Sequence, residues 1–121
     1  AVEYNGEKYE ISQCNNSYVF PGVGLGIIAC KARLVSDEML MIASTTLAEL
    51  SPGQEDQSSS VLPPLTSLPQ ISRKIAFKVA KTAIEQELAR VMSDEELLAA
   101  IERNFWTPAY REYRRIATRA R

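Results

Sequence analysis

The sequence predicts a mainly α chain with a short β element at its N-terminus. Three observations carry that class. Apolar residues recur at helical spacing in the segments after residue 36. Ser and Thr, followed by acids or by proline, mark helix starts. Asn5-Gly6 stands between β-formers close to Ala1, a turn signal. The length of 121 residues suits one compact domain. A composition of 45% hydrophobic and 24% charged residues excludes a largely disordered or collagen-like chain.

Val2–Ser12 carries Tyr4, Tyr9 and Ile11 among charged residues, which predicts a short strand or hairpin. One hairpin cannot hold a sheet together in water, so its remaining strands would lie elsewhere. The polar run Gln13-Cys14-Asn15-Asn16-Ser17 has loop character. Pro21 suits the first turn of a helix, and Val23–Cys30 is small or apolar throughout. A helix apolar all round belongs inside a larger body. Ser36-Asp37-Glu38 caps a second helix over about 37–50, with Leu40, Ala43, Leu47 and Leu50 on one face. Ser51-Pro52-Gly53 ends it. Gln54–Gln70, with Pro63, Pro64 and Pro69, predicts an extended connection pinned by Val61, Leu62, Leu65 and Leu68.

A third helix over about 71–91 places Ile71, Ile75, Val79, Ala83 and Leu88 on one face, with Arg73, Lys74, Lys78 and Lys81 near water. Ser93 and Glu96 form a capping box that opens a helix to about Arg103. Asn104-Phe105-Trp106 breaks it. Thr107-Pro108 then caps a last helix bearing Tyr110, Tyr113 and Ile116. No internal repeat is present.

A net charge of −1 points to neither nucleic acid nor membrane as a partner. Histidine is absent, which removes Ser–His and Cys–His nucleophile pairs and His-ligated metal sites. Cys14 and Cys30 read as reduced thiols of an intracellular protein, small residues in apolar settings. Val19–Cys30 is too short to span a bilayer, which takes about 20 residues. The polar, charged start argues against a signal peptide. Opening at Ala1 without Met suits a processed product or an excised piece of a longer chain. Between 110 and 121, Arg111, Arg114, Arg115, Arg119 and Arg121 face only Glu112. They complement a helix C-terminus, or make a subunit or phosphate contact. No aromatic platform accompanies them for nucleic acid.

Gly22, Gly24 and Gly26 do not make a dinucleotide fingerprint. That pattern is G-x-G-x-x-G directly after a strand, with an acid about 20 residues on. Here the third glycine comes one position early, and Asp37 and Glu38 come too soon. Close packing of the helix on a neighbouring backbone explains the glycines better. Asn15 and Asn16 are neutral donors and acceptors just ahead of a helix N-terminus, where an anion is also favoured. They bind a substrate carboxylate or hydroxyl, hold a cofactor amide, or serve as a turn device. Tyr18, Tyr110 and Tyr113 are assigned to packing. Asp37-Glu38 and Glu95-Glu96 sit at capping positions and are not metal ligands.

The run Gln13-Cys14-Asn15-Asn16-Ser17-Tyr18-Val19-Phe20-Pro21-Gly22-Val23-Gly24-Leu25-Gly26 closely resembles the C-terminal signature of malic enzymes, in its bacterial NAD-linked spelling. The likeness continues through Ser36–Leu40, Leu62–Leu65, Ile71-Ser72, Ile75-Ala76, Asn104–Trp106 and Tyr110-Arg111. The resemblance implies part of an α/β, Rossmann-like NAD-binding malic enzyme fold. Residues 1–22 would end the nucleotide-binding region and carry the Asn-Asn substrate loop. Residues 23–91 would pack on the substrate-side domain, with a loop at about 51–70, and 92–121 would form a helical tail.

Malic enzymes oxidatively decarboxylate L-malate to pyruvate and carbon dioxide with NAD or NADP and Mg or Mn. The metal acts there as a Lewis acid. The family's catalytic Tyr and Lys, its three metal-binding carboxylates and its nucleotide motifs precede the segment present here. By the resemblance, this chain thus holds no catalytic or metal residue and is inactive alone. Either Asn15 or Asn16 would donate to malate beside the nicotinamide, and the other would orient the loop. Implied partners are the N-terminal remainder, L-malate and further copies in a cytoplasmic homo-oligomer. The alternative is a non-catalytic helical interaction module that binds through the Val19–Cys30 face.

Overall fold

An Asn-Gly pair accepts two successive positive φ angles, the demand of a two-residue hairpin turn. In the computed structural model, which describes residues 1–54, 60–110, 112 and 113, Asn5 and Gly6 take φ 50° and 79°. They join β1 (Val2–Tyr4) to β2 (Glu7–Tyr9), antiparallel in the register Val2↔Tyr9, Glu3↔Lys8, Tyr4↔Glu7. Every residue of this hairpin is exposed, and it is the one sheet among the described residues. The rest of the architecture is helical.

Helix α1 (Phe20–Cys30) has Pro21 in its first turn and lies against α3 (Leu68–Glu85) in the most extensive contact of the fold. Glycine makes that approach possible. A Cβ on Gly22 would stand 2.7 Å from Ile75 Cβ, and one on Gly26 would stand 2.7 Å from the Ala76 carbonyl oxygen. Gly24 faces open space.

Both helices end on a left-handed residue that is not glycine: Lys31 at φ 56° and Glu87 at φ 58°. Each end closes with the paired reverse bonds of a Schellman motif. Ala32 N donates to Ile27 O and Lys31 N to Ile28 O in α1; Leu88 N donates to Ala83 O and Glu87 N to Ile84 O in α3. Arg33 joins the two ends, donating from N to Leu88 O at 3.0 Å and from Nη2 to Glu87 O at 2.6 Å. The third helix therefore stops at Glu85 rather than near 91, and it begins at Leu68 because Pro69 is at home in a first turn. Leu88, assigned to its apolar face, lies half-buried beyond its end.

Helix α2 (Asp37–Glu49) is capped by Ser36 Oγ, which accepts from Met39 N at 3.2 Å. Its buried face is Met39, Ala43 and Thr46, so Leu40 is exposed, contrary to the expected stripe. A buried threonine is invisible to apolar periodicity. Its hydroxyl donates to Ile42 O at 2.7 Å. That bond offsets the cost of burying a polar group.

The connection before α3 is held less by leucines than by polar bonds. Leu62 and Leu68 pack against the core, while Val61 and Leu65 are exposed, against expectation. Tyr18 Oη donates to Pro63 O at 2.6 Å, and Ser12 Oγ donates to Leu62 O at 3.1 Å. Helix α4 (Asp94–Asn104) opens with the expected box: Glu96 N donates to Ser93 Oγ and Ser93 N to Glu96 Oε2. The core draws Cys30, Met39, Ile75, Val79, Leu97 and Ile101 from all four helices around α3.

Three further corrections concern exposure and the C-terminal region. Cys30 is buried as expected, but Cys14 is exposed, because the polar loop around it offers nothing to bury it. Tyr110 and Tyr113 are exposed and pack on nothing among the described residues. No helix begins at Thr107-Pro108; Phe105 N closes α4 on Ile101 O, and beyond it Ala109 N turns back to Thr107 O at 2.8 Å. Ile116 and the arginines at 111, 114, 115, 119 and 121 lie outside the described residues. Among the described residues, no helix is long and apolar enough to cross a membrane.

Candidate functional site

Two adjacent carboxamides immediately before an apolar helix need a rigid loop if they are to bind anything. The structure supplies one. Asn15 is extended, at φ −154° and ψ 174°, and its Oδ1 accepts from Ser17 N at 2.8 Å. That bond opens a short 3-10 turn, Asn16–Tyr18, which runs directly into α1. Tyr18 is buried beneath the loop, with its hydroxyl on the Pro63 carbonyl. The loop is thus held by its own cap and by a buried aromatic anchor.

The two asparagines play unequal parts. The Asn15 oxygen is committed to Ser17, which fixes the direction of its amide plane and leaves the two Nδ2 hydrogens as donors. Among the described residues, neither that Nδ2 nor the Asn16 side chain has a hydrogen-bond partner, and both asparagines are exposed. Beside the loop lies an apolar cleft of about 500 Å³. Ser17, Phe20, Pro21, Phe105 and Trp106 are among its lining residues, neither Asn15 nor Asn16 is, and no ionisable side chain lines it among the described residues. Its lining offers apolar surface with the hydroxyls of Ser17 and Ser72 and the carboxamide of Asn104.

The other titratable groups fit structural roles. Burial pushes the Cys30 thiol up, which keeps it neutral and unreactive. A hydrogen bond from Gln86, followed by backbone and Ser36 bonds, holds Glu38 below the usual carboxylate range, in keeping with a first-turn acid. Among the described residues, no three His, Cys, Asp or Glu side chains gather into a metal-ligand set. The glycines lie inside α1, two of them against α3, so they form no pyrophosphate cradle. One cluster escaped the sequence. Arg73, assigned to water, pairs with Glu102 and stacks over Phe105 at 3.6 Å. Partners so far along the chain leave no local signal.

Residues 1–84 match the family model described as malic enzyme, NAD binding domain. The chain is 60% identical over 114 residues to an NAD-dependent malic enzyme of Pseudomonas syringae pv. tomato, covering 94% of this chain and 20% of that protein. It is 54% identical over 114 residues to the enzyme of that description from Colwellia psychrerythraea, with the same coverage. For the one from Aliivibrio salmonicida the figure is 53% over 116 residues, 96% of this chain and 21% of the relative. The chain spans about a fifth of the length of the curated relatives it matches. With residues 1–84 matched and this identity along nearly its whole length, the chain belongs to the malic enzyme NAD-binding domain family.

Proposed function

We propose that this chain is the C-terminal part of an NAD-dependent malic enzyme that oxidatively decarboxylates L-malate to pyruvate, and that Asn15 is its contribution to the malate site. The names of the relatives support the activity. The observation that supports the residue is the 2.8 Å bond from Ser17 N to Asn15 Oδ1. A carboxamide locked through its oxygen presents its N–H groups in a fixed direction, so it grips a malate carboxylate without first losing rotamer freedom. Asn16 completes the loop through its backbone, accepting from Val19 N at 3.2 Å.

Among the described residues no three His, Cys, Asp or Glu side chains gather to hold a Mg or Mn ion, and Gly22 and Gly26 are packed against α3 rather than turned to a dinucleotide. Both are assigned to the N-terminal remainder, against whose substrate-side domain α1 and the helices after it would pack. A cytoplasmic homo-oligomer completes the proposal.

The test is made in the complete enzyme. Asn15→Asp keeps an acceptor for Ser17 N–H but removes the donor and opposes an anionic substrate. It is expected to lower kcat/KM for malate by about 1–3 kcal/mol, the size of a hydrogen bond to a charged group. Asn16→Ala is expected to change it little. A loss confined to Asn16→Ala would transfer the contact to Asn16. Unaltered kinetics in both variants would favour the interaction module, for which the exposed Phe20 and Ile28 on α1 speak.

A further inference from the structure

The Arg73 guanidinium is engaged on every side. Its Nε donates to Glu102 Oε1 at 2.6 Å and its Nη2 to Glu102 Oε2 at 3.2 Å. The two bonds make a bidentate pair between α3 and α4. Nη1 donates to the Pro69 carbonyl at 3.1 Å, one turn back along α3. The Phe105 ring centroid lies 3.6 Å from Cζ, a cation–π stack. A long side chain held in four places has given up its rotamer freedom, which an arginine of the solvent face does not ordinarily do.

What it holds is the direction of the chain. Helix α4 ends at Asn104, and Phe105, its N–H still held by the Ile101 and Glu102 carbonyls, turns extended at φ −70° and ψ 123°. The stack on Arg73 fixes where its ring goes. Trp106, 72% exposed, then lines the cleft that Ser17, Phe20 and Pro21 also line. Ser17 is also the residue whose N–H locks Asn15. Phe105 of the clamp and Ser17 of the candidate loop thus line one cleft.

We infer that Arg73 is a positioning residue for the malate site: through Phe105 it holds the Phe105-Trp106 segment at the cleft that Ser17, the residue capping Asn15, also lines. This rests on the function proposed above. Arg73 touches no reacting atom, so its loss acts on substrate binding rather than on the chemical step.

The experiment compares the complete enzyme with its Arg73→Gln, Arg73→Lys and Glu102→Gln variants. It reads KM and kcat for malate, and the 19F spectrum of enzyme labelled with 5-fluorotryptophan. The Trp106 resonance is assigned by its loss in Trp106→Phe. Arg73→Gln and Glu102→Gln are expected to raise KM on the order of fivefold with kcat nearly unchanged, and to shift the Trp106 resonance. Arg73→Lys keeps the charge but not the planar fork, and falls between. A shifted resonance with unaltered KM reduces the clamp to a brace and overturns the inference, as does an unmoved resonance. Either result leaves the Asn15 assignment standing, since that assignment falls only with the kinetics of Asn15→Asp.

Discussion

At the residue scale, Gly24 and Gly26 lie two positions apart on α1 and demand opposite things. A methyl on Gly26 would meet the Ala76 backbone, with its carbonyl oxygen at 2.7 Å and Cα at 3.1 Å. Backbone cannot swing aside as a side-chain tip can, so Gly26→Ala is expected to destabilise the protein by about 1–3 kcal/mol. Gly24 meets no such obstacle. Gly24→Ala is expected to be neutral or to gain up to about 1 kcal/mol from helix propensity. Urea unfolding midpoints separate the two, and equal effects would refute the close approach of α1 to α3. Glu102 makes a second residue-scale prediction. The Arg73 hydrogen bond holds its carboxyl below the ordinary value of 4.5. A depressed carboxylate stabilises the fold fully above its unfolded value, and that contribution is lost as pH falls through the folded value. The stability difference between the native sequence and Glu102→Gln is therefore expected to be constant near neutrality and to vanish in acid. A difference that grows in acid would contradict the pair.

At the element scale, the serine-capped beginnings and the ends of α2 and α4 were legible, whereas α3 begins at Leu68 rather than about 71 and stops at Glu85 rather than near 91. Beginnings depend on side chains within a few positions of the start. Ser36 caps α2 and the Ser93–Glu96 box opens α4, both where local sequence placed them. Ser93→Ala is expected to cost about 1 kcal/mol of stability, and Glu96→Ala less, measured as shifts in a chemical denaturation midpoint. An unshifted midpoint for Ser93→Ala would remove the cap from the account of α4. The ends of α1 and α3 depend on left-handed lysine and glutamate, residues that carry no stop signal. The bond from Arg33 N to Leu88 O shows what holds them: each end is braced by the other, far away in sequence. The α2 face differs by one position, with Leu40 exposed and Thr46 buried, the inward hydroxyl satisfied on Ile42 O.

At the scale of the whole molecule, the described residues enclose one core around α3 and leave much apolar surface bare. Phe20 and Ile28 on α1 are 60% and 61% exposed, and the hairpin bares Val2, Tyr4 and Tyr9. Apolar groups gathered at a surface call for cover. The 121-residue chain expressed alone is accordingly expected to enhance the fluorescence of a hydrophobic dye, and to show no malate-dependent reduction of NAD with Mn present. Measurable turnover by the chain alone would overturn its assignment as one part of a larger active site.

The order of the four helices, the capped starts of α2 and α4 and the Asn5-Gly6 turn were written in local sequence, because each depends on residues that are close neighbours along the chain. The unequal parts of the two asparagines, the inward turn of Thr46, the exposure of Cys14 and the clamp of Arg73 on Glu102 and Phe105 belong to tertiary structure alone. The first depends on where a single carboxamide oxygen points. The others depend on what packing brings near, or fails to bring near, and no periodicity along a chain encodes a distance through space.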